Sequence, residues 1–125
     1  DHSPHAEEEK DVEYCLAPSG FPGLETAVGV LLTELYHSGK LDLDTLISKL
    51  TAEPARLLGL DVGTLAVGSR ADIVILDPER EWTVDKRAFY TRGTHSPFAG
   101  RRLKGRAVLT MVGGKVVMRD GKIIE

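Results

Sequence analysis

Along "GLETAVGVLLTELYHSG" the apolar residues Leu24, Ala27, Val28, Leu31, Leu32, Leu35 and Tyr36 recur at helical spacing, and Gly39 closes the run. Only Glu25, Thr26, Thr33, Glu34 and His37 leave a polar side, so the pattern predicts a helix over Leu24–Tyr36 that is mostly buried. A second helix starts in "LDLDTLISKL", with Asp42 as N-cap and Leu41 and Leu46 at the two positions of a hydrophobic staple. Thr51 is placed to cap a short third helix, with Pro54 in its first turn and Gly59 stopping it. After Gly63 the pattern turns to strands. "ADIVILD" is an apolar run ended by Asp77-Pro78, "EWTVD" follows, and "AVLTMVGGKVVMRDGKII" reads as hairpins turning at Gly-Gly and Asp-Gly. Residues 1–22 carry neither period. With Pro4, Pro18, Gly20 and Pro22 they read as a long ordered loop, and loops of that length are usually functional or disordered.

The predicted order is thus a loop, three helices and about five short strands. It has a physical difficulty. No sheet precedes the helices, the strands are too few for a closed sandwich, and helix Leu24–Tyr36 lacks an obvious partner surface. The expectation is that the chain is the tail end of something larger, and the missing initiating Met fits an absent upstream portion.

Composition narrows the classes. At 125 residues, 42% hydrophobic and 28% charged, the chain suits one globular domain or part of one. A net charge of -3 gives no electrostatic case for nucleic acid or an anionic membrane. The apolar stretches fall far short of the ~20 residues a membrane span needs. A single cysteine, Cys15, excludes an internal disulfide and points to the cytoplasm.

Candidate chemistry concentrates at the start, in "DHSPHAEEEK". An aspartate such as Asp1 can ligate a divalent metal and take a proton from metal-bound water; the plain alternative is an exposed terminal carboxylate. His2 and His5 flank Pro4, which disfavours a helical setting for Ser3, so their rings need not share a face. A zinc site needs several N, O or S donors, and "DHSPH" alone does not supply a defensible one. Glu7, Glu8 and Glu9 read as a solvated acidic face. His37 fits a helix C-terminal cap. His95 lies in "RGTHSPFAGRRLKGR", where an anion contact is conceivable but a surface loop pairing with local acids is preferred. Cys15 has no basic helper nearby, so a buried or inert thiol is preferred over a nucleophile.

Taken together these residues resemble the C-terminal part of the dihydroorotase family, in the amidohydrolase superfamily. "DHSPH" is similar to the family's Asp-His-Ala-Pro-His segment after its last barrel strand. "APSGFPGLETAVGVLL" is similar to the next loop and helix, with Ser19 where Phe is common. "KLTAEPARLLGLDVGTLAVGSRADIVILDP" resembles a tail shared across the superfamily, and "THSPFAGRRLKGRAVLTMVGGKVV" is more particular to dihydroorotases. The resemblance implies an α/β fold: the C-terminal fragment of a (β/α)8 TIM-barrel metal-dependent hydrolase plus strands of an adjoining small β-sandwich. Residues 1–60 would be the last loop and helices of the barrel, and 61–125 the C-terminal part of the sandwich.

For the intact enzyme the resemblance implies reversible hydrolysis of the cyclic amide of (S)-dihydroorotate to N-carbamoyl-L-aspartate, in pyrimidine biosynthesis. It implies zinc, two ions, with most ligands upstream; Asp1 would be both metal ligand and catalytic proton acceptor. His5 would bind the substrate's carboxylate side, backbone groups around Pro18, Ser19 and Gly20 would read its amide edge, and His2 would be a structural neighbour. The implied partners are the missing N-terminal part, further copies of the chain in a homo-oligomer, and aspartate transcarbamoylase. The fragment alone is expected to be inactive. Two alternatives stay open: another cyclic amidohydrolase (hydantoinase, dihydropyrimidinase or allantoinase), or a non-catalytic dihydroorotase-like scaffold subunit of aspartate transcarbamoylase.

Overall fold

The structure, a computed structural model, describes residues 1–124. Four short α-helices precede an antiparallel sheet: α1 (Glu7–Lys10), α2 (Leu24–Leu31), α3 (Leu43–Leu50) and α4 (Ala52–Leu58). The sheet is a meander, β1 (Ile73–Thr83), β2 (Arg102–Val112), β3 (Lys115–Arg119) and β4 (Lys122–Ile123), each strand paired to the next. Its two hairpin turns have positive φ at both central residues, 55° and 83° at Gly113-Gly114 and 49° and 79° at Asp120-Gly121. That is the type I′ requirement, which Gly and Asp meet at low cost.

Where sheet and sequence pattern differ, the reason is a bulge. Asp77-Pro78 does not end a strand: Ile73–Thr83 runs through it as one strand, absorbing Glu81–Thr83 of "EWTVD" and leaving Val84 and Asp85 beyond it, so the described residues hold four strands. The β1–β2 register slips between Asp77 and Glu81, which leaves Pro78, with no N–H to donate, outside the ladder. The Pro78 carbonyl instead accepts Nε2–H of His37 at 2.8 Å. His37 thus stands at the C-cap of its helix, as expected, while its ring ties the helical layer to β1.

The predicted helix over Leu24–Tyr36 is present, but its last turn, Leu32–Tyr36, widens to π geometry, with the His37 N–H reaching Leu32 O at 2.9 Å. Nor is it mostly buried. Only Thr26, Gly29 and Leu32 are, one stripe laid on β2, while Leu24 is 68% exposed and the other apolar positions are half-buried. The stripe is chosen by size. A Cβ on Gly29 would stand 2.9 Å from Trp82 and 3.2 Å from Leu103, so only glycine lets the helix approach this closely. On the strand side Gly105 (φ +105°) has Leu32 where a side chain would go, and its carbonyl accepts the Trp82 indole N–H at 3.0 Å. Thr33 Oγ accepts the Lys104 N–H at 2.8 Å and completes the joint.

The remaining local expectations divide. Asp42 caps α3, accepting the Thr45 N–H at 2.8 Å, Leu46 is buried and Leu41 half-buried, and Gly59 ends α4 in the left-handed conformation. Thr51 stands at the N-cap of α4, its carbonyl accepting the Ala55 N–H at 3.1 Å, but its side chain makes no cap bond: the hydroxyl donates back to Ile47 O at 2.7 Å. One turn of helix, α1, stands inside what reads as a loop; it has no buried residue, hence no apolar period, and Glu9 reaches back to the Ala6 N–H at 3.0 Å. Cys15 is exposed, not buried, within the exposed run 11–16. Leu57, Leu58, Leu65 and Val67 also face solvent. No helix among the described residues is long and apolar enough to cross a membrane.

Candidate active site

The segment Asp1–His5 lies along the loop that leads into α2. The Ser3 N–H donates to Phe21 O at 3.1 Å, and His5 Nε2 meets Ser19 O at 2.9 Å. A carbonyl only accepts, so Nε2 carries the proton in that contact. The approach is close enough to constrain the loop. At Gly20 (φ +115°) a Cβ would fall 2.9 Å from Ser3 O, and at Gly23 it would strike the Asp1 carbonyl oxygen. Both glycines thus serve the placement of Asp1–His5 and not only a turn.

Each of the predicted site residues has a place in this arrangement. Asp1 is exposed, and one of its carboxylate oxygens accepts the Ser3 hydroxyl at 3.0 Å. His2 Nδ1 faces the Leu24 N–H at 3.4 Å, the first free donor of α2, which makes His2 a structural neighbour. His5 is half-buried between Ser19 O and Glu9, whose carboxylate lies 3.6 Å from Nδ1. Pro18 O accepts Lys10 Nζ at 2.6 Å. The structure therefore brings His5 together with the Pro18–Gly20 loop, and two carbonyls of that loop already hold donors of this chain. Among the described residues no group of three or more His, Cys, Asp or Glu side chains gathers to hold a metal ion.

Around these groups the surface is open and polar. A hollow of about 410 Å³ is lined by Pro4, His5, Glu7 and the segment Thr91–Thr94; another, about 510 Å³, by Lys10, Cys15, Pro18, Ser19 and His95. His95 itself is exposed. Cations of its loop and of β2 pair with acids: Arg101 with Glu34, Lys104 with Glu79 and, just upstream, Lys86 with Glu7. A loop pairing with local acids describes this better than an anion site.

The carboxyls held below their ordinary range belong to the scaffold. A hydrogen bond from Lys104 lowers Glu79, one from Arg87 lowers Asp85, one from Lys49 lowers Glu53, and the Thr45 N–H lowers Asp42. Sequence reasoning missed Lys10, Glu25 and Gly93. Glu25 counts there only as part of a polar helix side, yet its carboxylate accepts the N–H groups of Tyr90 and Thr91 at 3.0 and 2.9 Å. Its spacing to those partners carries no local signal.

Comparison with known proteins gives the chain's family. Over 120 residues, 96% of this chain, it is 53% identical to the dihydroorotase of Pelotomaculum thermopropionicum. It superposes on the L-hydantoinase (dihydropyrimidinase) of Arthrobacter aurescens with a TM-score of 0.85 and 38% identity, covering 90% of this chain and 26% of that one. An inactive dihydroorotase-like domain of a Chaetomium thermophilum multifunctional protein matches with a TM-score of 0.64 and 26% identity, covering 83% of this chain and 27% of that one. The chain spans about 28% of the length of the curated relatives it matches. The sequence profile of the amidohydrolase family matches residues 18–118. Matched over most of its length by that profile, the chain belongs to the amidohydrolase family.

Proposed function

We propose that this chain serves a dihydroorotase, the reversible hydrolysis of dihydroorotate to N-carbamoyl-aspartate, as one part of its active site and scaffold. The observation that carries the reading is the junction of Asp1–His5 with the Pro18–Gly20 loop through the His5–Ser19 contact at 2.9 Å. The chain as a whole supports it, being 53% identical over 120 residues to a dihydroorotase. In this reading residues 1–60 are the last loop and helices of a (β/α)8 barrel, whose catalysts sit at the C-terminal strand ends. Residues 61–125 belong to the small β-sandwich beside it. A cytoplasmic location and assembly as a homo-oligomer complete the proposal.

Asp1 fits a metal centre as one oxygen donor: it is exposed, and its carboxylate has one oxygen engaged by Ser3. A zinc centre needs two or three more protein ligands, which the described residues do not gather. When bound, zinc supplies a water acidic enough to be deprotonated near neutral pH. With zinc in place, Asp1 would hold a proton on its carboxylate and return it to the ring nitrogen as the amide bond breaks. Ser3 holds the carboxylate's orientation. His5, donating Nε2–H to Ser19, keeps Nδ1 for the substrate; a second proton there lets it donate to the substrate carboxylate in competition with Glu9.

The hydantoinase match favours a second reading, a cyclic amidohydrolase for rings without a carboxylate. Kinetics of the complete gene product with two substitutions test the division of labour. Asp1→Asn should cut kcat by at least ~10²–10⁴, as loss of a general base does. His5→Ala should raise KM and leave metal content intact. Near wild-type kcat in the first would remove Asp1 as base, and metal loss in the second would make His5 a ligand.

A further inference from the structure

Resting on the reading of His5 as a substrate-binding residue, we propose that the strap Tyr90–Ser96 is its positioning element, acting through Gly93 and anchored by Glu25. Gly93 is buried. A Cβ there would lie 2.8 Å from His5 O, 2.9 Å from Pro4 Cβ and 3.1 Å from His5 N. Its φ is not in the left-handed range, so alanine meets no backbone strain; what position 93 lacks is room. The strap backbone is thus a wall against the peptide of His5, on a different segment from the Ser19 carbonyl that holds the ring.

The wall is fixed at two ends. Upstream, the Glu25 carboxylate accepts both the Tyr90 and Thr91 N–H groups, a charge-assisted pair of bonds from the first turn of α2. That same helix start abuts Asp1 through Gly23, so one element sets both ends of the Asp1–His5 segment. Near the far end, the Thr94 hydroxyl reaches the Glu7 carboxylate at 3.5 Å, the same carboxylate that Lys86, ahead of the strap, meets at 3.1 Å, which ties the strap to α1, two residues past His5. A few tenths of an ångström of error in this wall moves the His5 backbone directly. Misplacement by about 1 Å costs ~10²-fold in alignment, so a fraction of that is worth about tenfold.

The test uses the complete gene product with Gly93→Ala, Gly100→Ala as control, and Glu25→Gln. Gly100 lies beyond the strap with φ +76° and nothing within 4 Å of where a methyl would sit, so its alanine variant strains the loop without touching His5. Two readouts are taken: steady-state kinetics on dihydroorotate, and the rate at which diethyl pyrocarbonate modifies His5, read by peptide mass spectrometry against His37. Gly93→Ala should raise KM about tenfold with kcat changed less, and modify His5 several-fold faster, with metal content unchanged. Gly100→Ala should lower Tm and move neither. Glu25→Gln, which adds no atom, should shift both readouts in the same direction and keeps the test valid if Gly93→Ala fails to fold. Wild-type KM and His5 reactivity in Gly93→Ala and Glu25→Gln, or equal shifts in Gly100→Ala, would overturn the proposal. If the wild type does not hydrolyse dihydroorotate, the functional reading fails, and the His5 reactivity alone still decides whether the strap positions that residue.

Discussion

Gly105→Ala probes the joint between α2 and β2, on which the placement of Asp1 and His5 depends. A new methyl at position 105 would meet the Leu32 side chain, 2.8 Å from its Cβ and 3.1 Å from its Cγ, while the backbone stays at φ +105°. Holding a non-glycine residue in that conformation costs about 1–3 kcal/mol. Forcing a methyl into a filled contact costs about 1–3 kcal/mol more, since Leu32 is only 1% exposed and has nowhere to retreat. The sum, about 2–6 kcal/mol, corresponds at its lower end to a roughly 30-fold change in an opening equilibrium. Amide hydrogen exchange reads that opening locally. Protection of the Leu103 and Lys104 amides and of α2 should fall together by at least that factor. Leu32→Ala alone should cost about 2–5 kcal/mol. The double variant should cost less than the sum by about 0.5–3 kcal/mol, because the Cγ and Cδ collisions vanish while the strain and the Cβ contact remain. Strict additivity, or unchanged protection in Gly105→Ala, would refute the claim that Leu32 excludes a side chain there.

Acid should weaken the scaffold. Asp42, Asp85, Glu53 and Glu79 are held below their ordinary values of 3.8 and 4.5 in the folded chain, so their contribution is complete above about pH 4.5 and lost as pH falls through and below that point. Lys104, raised above 10.5 by Glu79, contributes the opposite edge, lost as pH rises beyond 10.5. All are exposed or half-exposed, so the effects are small and salt-sensitive; a Tm that does not fall between pH 5 and 3 at low salt would contradict them. The 125-residue chain expressed alone should self-associate, because Leu57, Leu65 and Val67 are 84%, 81% and 107% exposed. Light scattering on a size-exclusion column checks this, and a stable monomer with a cooperative melt would count against it.

Legibility in the sequence followed the range of each interaction. Asp42, Gly59 and the two glycine turns were readable because each answers to partners a few residues away. The long strand through Pro78 was not, since the bulge that tolerates the proline is defined by its pairing with β2. Helix α2 misled differently. Its leucines advertise a face, yet the buried stripe is Thr26, Gly29 and Leu32, selected by how closely Trp82 and Gly105 approach. At the site, family resemblance drew attention to Asp1, His5 and the Pro18–Gly20 loop, whereas Glu25 and Gly93 act across the fold. Glu25 reaches backbone donors 65 and 66 residues away, a distance no local pattern records.

The central claim is that His5 and its loop read a carboxylated cyclic amide. The most direct test is kcat/KM of the metal-loaded complete gene product for dihydroorotate against dihydrouracil, hydantoin and allantoin. Dihydroorotate carries the carboxylate that the proposal assigns to His5, and dihydrouracil is the same ring without it. Loss of a charged partner in a polar site predicts a preference of about 10²-fold or more for dihydroorotate. Equal or faster turnover of dihydrouracil or hydantoin would contradict the account in favour of a hydantoinase, and no hydrolysis of any of the four would contradict catalysis itself.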